Sequence, residues 1–367
     1  MKILHVISSL ITGGAEKLVL DSAIKYNLKG IQVDVLLLWD NNHDFTKKLV
    51  ETGLCKVYIL NESPNIKDVY SLRNILKIRS IIKDYDIIHA HLFAPQYFVA
   101  IANIGINKKL VFTEHSTSNR RIKSRRYYYF QKWCYSRYDN LISITDEIKD
   151  IYCKYLNLGN KITVINNGVD LLEILNSKSI ERKVIDSSLE NTDILLIQVS
   201  TLRKEKDHDT IIKSLVYLPE NYKLLIVGDG IRKNELMKLT HLLKLDNRVL
   251  FLGQRNDVPA LLKTSDIVIL SSHHEGLSLS SIEGMASGKP FVASAVPGLI
   301  DIVSNAGVLF EKENAKQLSE VILELINDKE YYNKIVLKCI NRSEDYNIDR
   351  MIDKHIDLYN KVFKTIV

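Results

Sequence analysis

Two α/β domains, each a doubly wound parallel sheet, are predicted by three observations. At 367 residues the chain is longer than a single hydrophobic core usually serves. Short β-rich apolar runs alternate with helical periodicity from the first residue, the rhythm of βαβ units. That rhythm lapses after Asp170 and restarts at Asp193.

In the first half the runs Lys2–Ile7, Val33–Leu38, Lys56–Leu60, Ile87–His89, Leu110–Thr113, Asn140–Ser143 and Lys161–Ile165 read as strands. Amphipathic stretches such as Ala15–Asn27 and Val69–Lys83 read as the helices between them. The segment Leu171–Thr192 is polar and aperiodic, an interdomain connection. The second half repeats the pattern with Asp193–Val199, Lys223–Val227, Arg248–Phe251, Ile267–Leu270, Pro290–Ala293 and Gly307–Phe310 as strands. The tail is helical, Ala315–Asn327 and then from Tyr331 onward. The domains are therefore drawn at 1–170 and 171–346.

The opening MKILHVISSL is broken by His5, Ser8 and Ser9, and a Gly-Gly-Ala-Glu turn follows it in place of a cleavage site. It reads as a buried first strand, not a signal peptide. No run of about 18 apolar residues exists, which argues against a membrane-spanning helix. The cysteines Cys55, Cys134, Cys153 and Cys339 are scattered, without a CxxC pair. This argues against zinc or a disulfide framework and fits a reducing, cytoplasmic setting. Charge divides unevenly. Residues 1–170 hold 24 Lys+Arg against 16 Asp+Glu, and the remainder hold 26 against 28. The first half is expected to face something anionic.

In such sheets ligands sit at the carboxyl ends of the strands, so the loops there carry the candidates. After the first strand, Thr12-Gly13-Gly14-Ala15-Glu16 opens a helix. Its glycines allow close backbone approach, and its amides suit an anion. No GxGxxG is present, which argues against a dinucleotide fingerprint. His89-Ala90-His91 reads as one ring turned inward and one outward. Metal ligation is the lesser reading, for want of an accompanying acid or cysteine. Thr113-Glu114-His115-Ser116 adds polar groups at the same rim, suited to a sugar or acceptor.

Between Ser116 and Tyr138, Arg120, Arg121, Lys123, Arg125, Arg126, Lys132 and Arg137 interleave with six aromatics and no acid before Tyr138. The pattern suits an anionic acceptor or membrane surface, against the plainer reading of a solvated helix with aromatics in the core. Nucleic-acid binding is disfavoured, because the second half is slightly acidic.

In the second half, Ser200–Lys206 places Arg203 and Lys206 as phosphate ligands. Gly228-Asp229-Gly230 reads as a turn, and Gly253 ends a strand where a backbone can meet a base edge. Glu275 lies on a loop and Glu283 inside the helix that follows, with an anion site at the amides of Ser278, Leu279 and Ser280. The eight-residue separation suits a clamp on a nucleotide-diphosphate sugar. It does not suit an acid–base pair across one bond.

The ordered series Gly13–Glu16, Asp86-Ile-Ile-His-Ala-His91, Asn167-Gly-Val-Asp170, Lys206, Val227-Gly-Asp-Gly230, Arg248–Gly253 and Glu275-x7-Glu283 runs through nearly the whole chain. It continues into Gly284-Met285-Ala286-Ser287-Gly288-Lys289-Pro290. This resembles the retaining glycosyltransferases of family four, whose GT-B fold sets two Rossmann-like domains facing across a cleft. The resemblance implies a UDP- or GDP-linked donor held mainly by the second domain. Lys206 would sit on the diphosphate, Glu283 on the ribose and Glu275 on the sugar hydroxyls. Gly13 and Gly14 would offer the phosphate an amide, and His91 would lie beside the reacting carbon. It further implies no metal or other cofactor, and a last helix, about 347–367, returning to the first domain.

The expected acceptor is a glycan or polyprenyl-diphosphate-linked hydroxyl at the inner face of the cytoplasmic membrane, as in capsule, O-antigen or exopolysaccharide assembly. The acceptor or membrane contacts would be His115, Arg120, Arg121, Arg125 and Arg126. One departure is Ser200-Thr201 where the family often has Gly-Arg, with Arg203 as the substitute. The rivals are a nucleotide-sugar 2-epimerase, which would convert donor without acceptor, and a non-catalytic nucleotide-sugar-binding module.

Overall fold

A computed structural model describes residues 1–11, 13–115, 127–156 and 161–364. The chain divides into two compact units, Met1–Gly168 with Ile348–Val367, and Val169–Asn347. Unit 1 is built on seven strands: β1 (Lys2–Ile7), β2 (Gln32–Leu37), β3 (Val57–Ile59), β4 (Ile87–His91), β5 (Lys109–Glu114), β6 (Asn140–Ser143) and β7 (Ile162–Val164). They pair in parallel in the order β3-β2-β1-β4-β5-β6-β7. Ile3, Leu4, Val6 and Ile7 are fully buried on both faces of the sheet, which is why β1 reads as a near-continuous apolar run. The order reverses between β1 and β4, so the loops after these two strands flank the switch point.

The last helix, Ile348–Lys364, completes unit 1. Its stripe of Ile348, Met351, Ile352, Leu358 and Val362 joins the core cluster of β1, β2 and the helix Gly14–Leu28. Lys29 ties the two helices at their surface, 2.6 Å from Asp353 and 3.4 Å from Asp349. Two polar residues, His355 and Tyr359, sit buried in that same stripe.

Unit 2 repeats the plan with six parallel strands: β8 (Ile194–Val199), β9 (Tyr222–Val227), β10 (Val249–Gly253), β11 (Ile267–Leu270), β12 (Phe291–Ser294) and β13 (Val308–Phe310). Their order is β10-β9-β8-β11-β12-β13, with the switch between β8 and β11. The helix Leu279–Ala286 lies tight on this sheet. A Cβ at Gly284 would come within 2.6 Å of the Phe291 ring.

Two local readings change. The helix expected over Val69–Lys83 is interrupted: a 3₁₀ turn spans Ile66–Tyr70 and the α-helix runs only Arg73–Ile81. The buried Asn74 amide donates to the carbonyls of Asp68 and Val69, which holds the chain in a turn there. The segment after Asp170 is not structureless. Asp170 caps a short helix, Leu171–Asn176, whose Leu171 and Ile174 pack against Ile282 and Ala286.

Candidate functional site

The carboxyl edge of the unit 2 sheet is assembled by the loops after β8 and β11, the two strands at the switch. The 200–207 loop ends in a 3₁₀ turn, Lys204–Lys206, closed by Asp207 in the left-handed region at φ +35°. Gln198 at the end of β8 stitches the two loops together. Its amide donates to the Lys206 carbonyl at 2.8 Å, while its carbonyl oxygen accepts from the Ser271 amide at 3.1 Å. Ser271 Oγ donates to Asp207 at 3.0 Å, and Ser272 Oγ donates to the Glu205 carbonyl at 2.7 Å. Burial pushes His208 down to about 4, so this ring is neutral where it meets Ser200 Oγ at 3.0 Å. The buried lattice leaves few alternatives for the two loop ends that project from it.

Those ends are Lys206 and Glu275. The Lys206 ammonium lies 2.5 Å from Glu275 Oε1. Glu275 is buried and Lys206 half-buried. Gly298 makes room for this placement. It adopts φ +82°, and a Cβ there would fall within 2.3 Å of the Glu275 carbonyl oxygen. Gly228, at φ +132°, likewise admits the Ser200 carbonyl, so the Gly228–Gly230 turn braces the 200–202 loop.

Beside the pair the helix Leu279–Ala286 begins at Ser278, whose hydroxyl meets Ser280 Oγ at 3.0 Å and does not cap the helix. Its amino end keeps the positive dipole that suits an anion. Leu279 and Ser280 are half-buried on its first turn and Glu283 is half-buried one turn further on. Arg203 is exposed, at the start of the 3₁₀ turn. Gly253 ends β10 at φ +66° with open space where a side chain would stand.

At the carboxyl edge of unit 1, Gly13 precedes the helix Gly14–Leu28 and Gly14 is exposed. The Glu16 carboxylate folds back to within 2.3 Å of where a Gly13 Cβ would be, so a negative group already faces this helix end. Burial raises its pKa.

His89 and His91 correct the sequence reading. Side chains two apart on a strand share a face, and both rings turn inward, with the β1–β4 register setting His5 opposite His89. His91 contacts His5 and His115, while His115 is half-buried. His5, His355, Tyr26 and Tyr359 complete this buried group, and sequence reasoning passed over all four. The available signal was polarity out of place: a histidine inside an apolar strand, and His355 with Tyr359 inside an apolar helix stripe. Nitrogens of His5, His89 and His91 lie within 4.8 Å of one another, a spacing that a metal ion could use.

Arg120, Arg121, Arg125 and Arg126 lie outside the described residues. The aromatics that follow them split. Tyr135 and Tyr138 are core, whereas Tyr127, Tyr129, Phe130 and Trp133 are exposed around the helix Tyr128–Ser136. Phe130 stacks on Tyr97 at 5.2 Å and on Trp133 at 5.8 Å. No helix among the described residues is long and apolar enough to cross a membrane.

The sequence profile described as Glycosyltransferase Family 4 matches residues 12–172, and that of Glycosyl transferases group 1 matches 179–340. An Escherichia coli protein named UDP-Gal:alpha-D-GlcNAc-diphosphoundecaprenol alpha-1,3-galactosyltransferase is 30% identical over 315 residues, covering 80% of each chain. This chain belongs to the family 4 glycosyltransferases. A second relative of this glycosyltransferase, an uncharacterized glycosyltransferase of Haemophilus influenzae, is 28% identical over 93% of this chain and 95% of its own. The crystal structure of Anabaena HepE with UDP-glucose superposes with a TM-score of 0.82 at 22% identity, covering 98% of this chain and 100% of that one. At that identity the likeness concerns the fold. The fold is GT-B.

Proposed function

We propose that this glycosyltransferase moves a hexose from a UDP- or GDP-linked donor to a hydroxyl of a glycan or polyprenyl-diphosphate-linked acceptor, with retention and without a metal. The Lys206–Glu275 pair beside an uncapped helix end carries the reading. The ammonium, with Arg203 and the amides of Ser278, Leu279 and Ser280, takes the diphosphate. Glu275 turns from Lys206 to the sugar hydroxyls, Glu283 takes the ribose, and Gly253 offers backbone to the base. Gly13 and Gly14 offer amides to phosphate once Glu16 swings aside. The carboxyl edge of unit 1 handles the acceptor: His91 lies beside the reacting carbon, and the more accessible His115 meets the acceptor.

In the reaction the bond from the anomeric carbon to the phosphate oxygen breaks, and a bond from that carbon to the acceptor oxygen forms on the same face. The acceptor proton passes to the departing phosphate oxygen, releasing nucleoside diphosphate. Fixed positive groups stabilise the charge that grows on that oxygen, so their contribution is largest in the transition state. The E. coli relative's name, which joins UDP-Gal to a diphosphoundecaprenol-linked sugar in alpha-1,3 linkage, supports the donor and acceptor classes. The test is transfer from a panel of UDP- and GDP-sugars in the presence of EDTA, with the product anomer read by NMR. A retained anomer at full rate is expected. An inverted product, or activity abolished by EDTA and restored by a divalent ion, would overturn the mechanism.

The acceptor's lipid brings this enzyme to an anionic membrane surface. The exposed aromatics Tyr127, Tyr129, Phe130 and Trp133, which follow the arginine-rich segment, support that contact. Vesicles containing phosphatidylglycerol are expected to co-sediment the protein at low salt and release it at high salt. An absence of salt-sensitive binding to these vesicles would sink the membrane reading.

A further inference from the structure

Beneath the carboxyl edge of the unit 1 sheet, six side chains form an unbroken hydrogen-bonded series. His115 Nε2 lies 3.3 Å from His91 Nδ1, and His91 Nε2 lies 3.1 Å from His5 Nδ1. His5 Nε2 is 3.3 Å from the Tyr359 hydroxyl, which is 2.6 Å from His89 Nδ1. His89 Nε2 ends the series 2.7 Å from Thr113 Oγ1. All members are buried except His115, which is half-buried. Burial takes the His5 ring down to about 3 and the His115 ring to about 4. The rings are therefore neutral at pH 7.

A neutral imidazole carries one N–H and one bare nitrogen. The three interior rings each use both nitrogens within the series, so each must donate on one side and accept on the other. From His115 through His91 and His5 to the Tyr359 hydroxyl, only two arrangements satisfy every link. In one, protons run from His115 toward Tyr359; in the other, Tyr359 donates to His5 and every proton sits on the opposite partner. A mixed arrangement sets two lone pairs or two protons against each other in a dry interior, which is costly. The tautomer of His115 is thus tied to whether Tyr359 accepts from His5 or donates to it.

Tyr359 decides between the two. Its hydroxyl has three neighbours: His5, His89 and Tyr26, whose own hydroxyl is 2.6 Å from His355 Nδ1. One proton and two lone pairs serve these three, so Tyr359 donates once and accepts twice. The shortest contact, to His89, takes the proton. His5 must then donate from Nε2, His91 from Nε2 and His115 from Nε2.

We propose that this series is a tautomer relay in which Tyr359, on the last helix, is a positioning residue that holds His115 in its Nε2–H form, leaving His115 Nδ1 as an acceptor for a sugar hydroxyl. The functional half of this rests on the reading that the unit 1 edge handles the acceptor. Although His5, His89 and His91 are close enough for a metal ion, the observed contacts already employ their nitrogens. An ion would have to break the His5–His91 contact or expel the Tyr359 hydroxyl from between His5 and His89.

The test uses the full chain labelled with ¹⁵N-histidine, whose two-bond ¹⁵N–¹H correlations report each tautomer without substrate. His5, His91 and His115 are expected as Nε2–H in the wild type. Tyr359→Phe keeps the ring and removes the link, so mixed tautomers are expected at all three. Transfer kcat should fall by about 10-fold with the donor KM unchanged. Tyr26→Phe, which removes the second donor to Tyr359 together with the Tyr26–His355 contact, should loosen the same tautomers and serves if Tyr359→Phe does not fold. Nδ1–H at His115 in the wild type, or unmoved tautomers in a folded variant, would overturn the relay. So would one equivalent of zinc in the purified protein that His5→Ala loses. Tautomers that move as expected in a protein whose transfer rate does not change would uphold the relay and refute the acceptor reading of this edge.

Discussion

The carboxyl edges of the two sheets arise from the same topology and handle charge in opposite ways. In unit 1 the groups at the β1–β4 switch are histidines that burial holds neutral, with pKa values of about 3 at His5 and about 4 at His115. In unit 2 the β8–β11 switch presents an ammonium and a carboxylate 2.5 Å apart, on loops that Gln198 and a row of serines hold in place. One edge is suited to orienting hydrogen bonds, the other to stabilising an anion. The contrast shows that switch-point geometry chooses where a site forms, and the residues placed there choose what it binds.

The largest expected effect breaks the charged side of this comparison. Lys206→Ala should lower kcat/KM by about 10²–10³, the cost of removing one preorganised group from growing transition-state charge. Steady-state kinetics with the preferred donor would measure it. A loss under threefold would remove Lys206 from the diphosphate.

A smaller effect sharpens the neutral side. His5 and His355 have folded pKa values of about 3, below the unfolded value of about 6.5. The unfolded chain therefore binds more protons as pH falls below about 6.5, and the stability these rings contribute is complete near neutrality and lost on acidification. Each should add up to about 1.4 kcal/mol per pH unit to the slope of stability between pH 6 and pH 4. Urea melts of wild type and His355→Gln at pH 7, 6 and 5 would show it. The variant's stability should fall less steeply with acid, and parallel slopes would contradict the buried-neutral account.

Much of the fold was legible because central parallel strands are buried on both faces and read as apolar runs, as at Lys2–Ile7 and Ile267–Leu270. Where a polar side chain rewired the backbone locally, as Asn74 does against Asp68 and Val69, the helix boundary was missed. Gly228, Gly284 and Gly298 fill positions where another chain segment approaches too closely for a Cβ, which no spacing rule discloses. The site was legible in its parts and not in its pairings. Lys206 and Glu275 are 69 residues apart, and only the strand order joins them. His5 and Tyr359 are separated by 354 residues and meet because the last helix returns to β1.

The most direct test of the charged edge as donor site is a thermal-shift comparison of wild type and Lys206→Ala against UDP- and GDP-sugars. Ligand bound only by the folded state raises Tm by mass action. One donor class should raise the wild-type Tm by several degrees and leave the variant unmoved. Equal shifts in both proteins would show that the donor's diphosphate does not rest on Lys206.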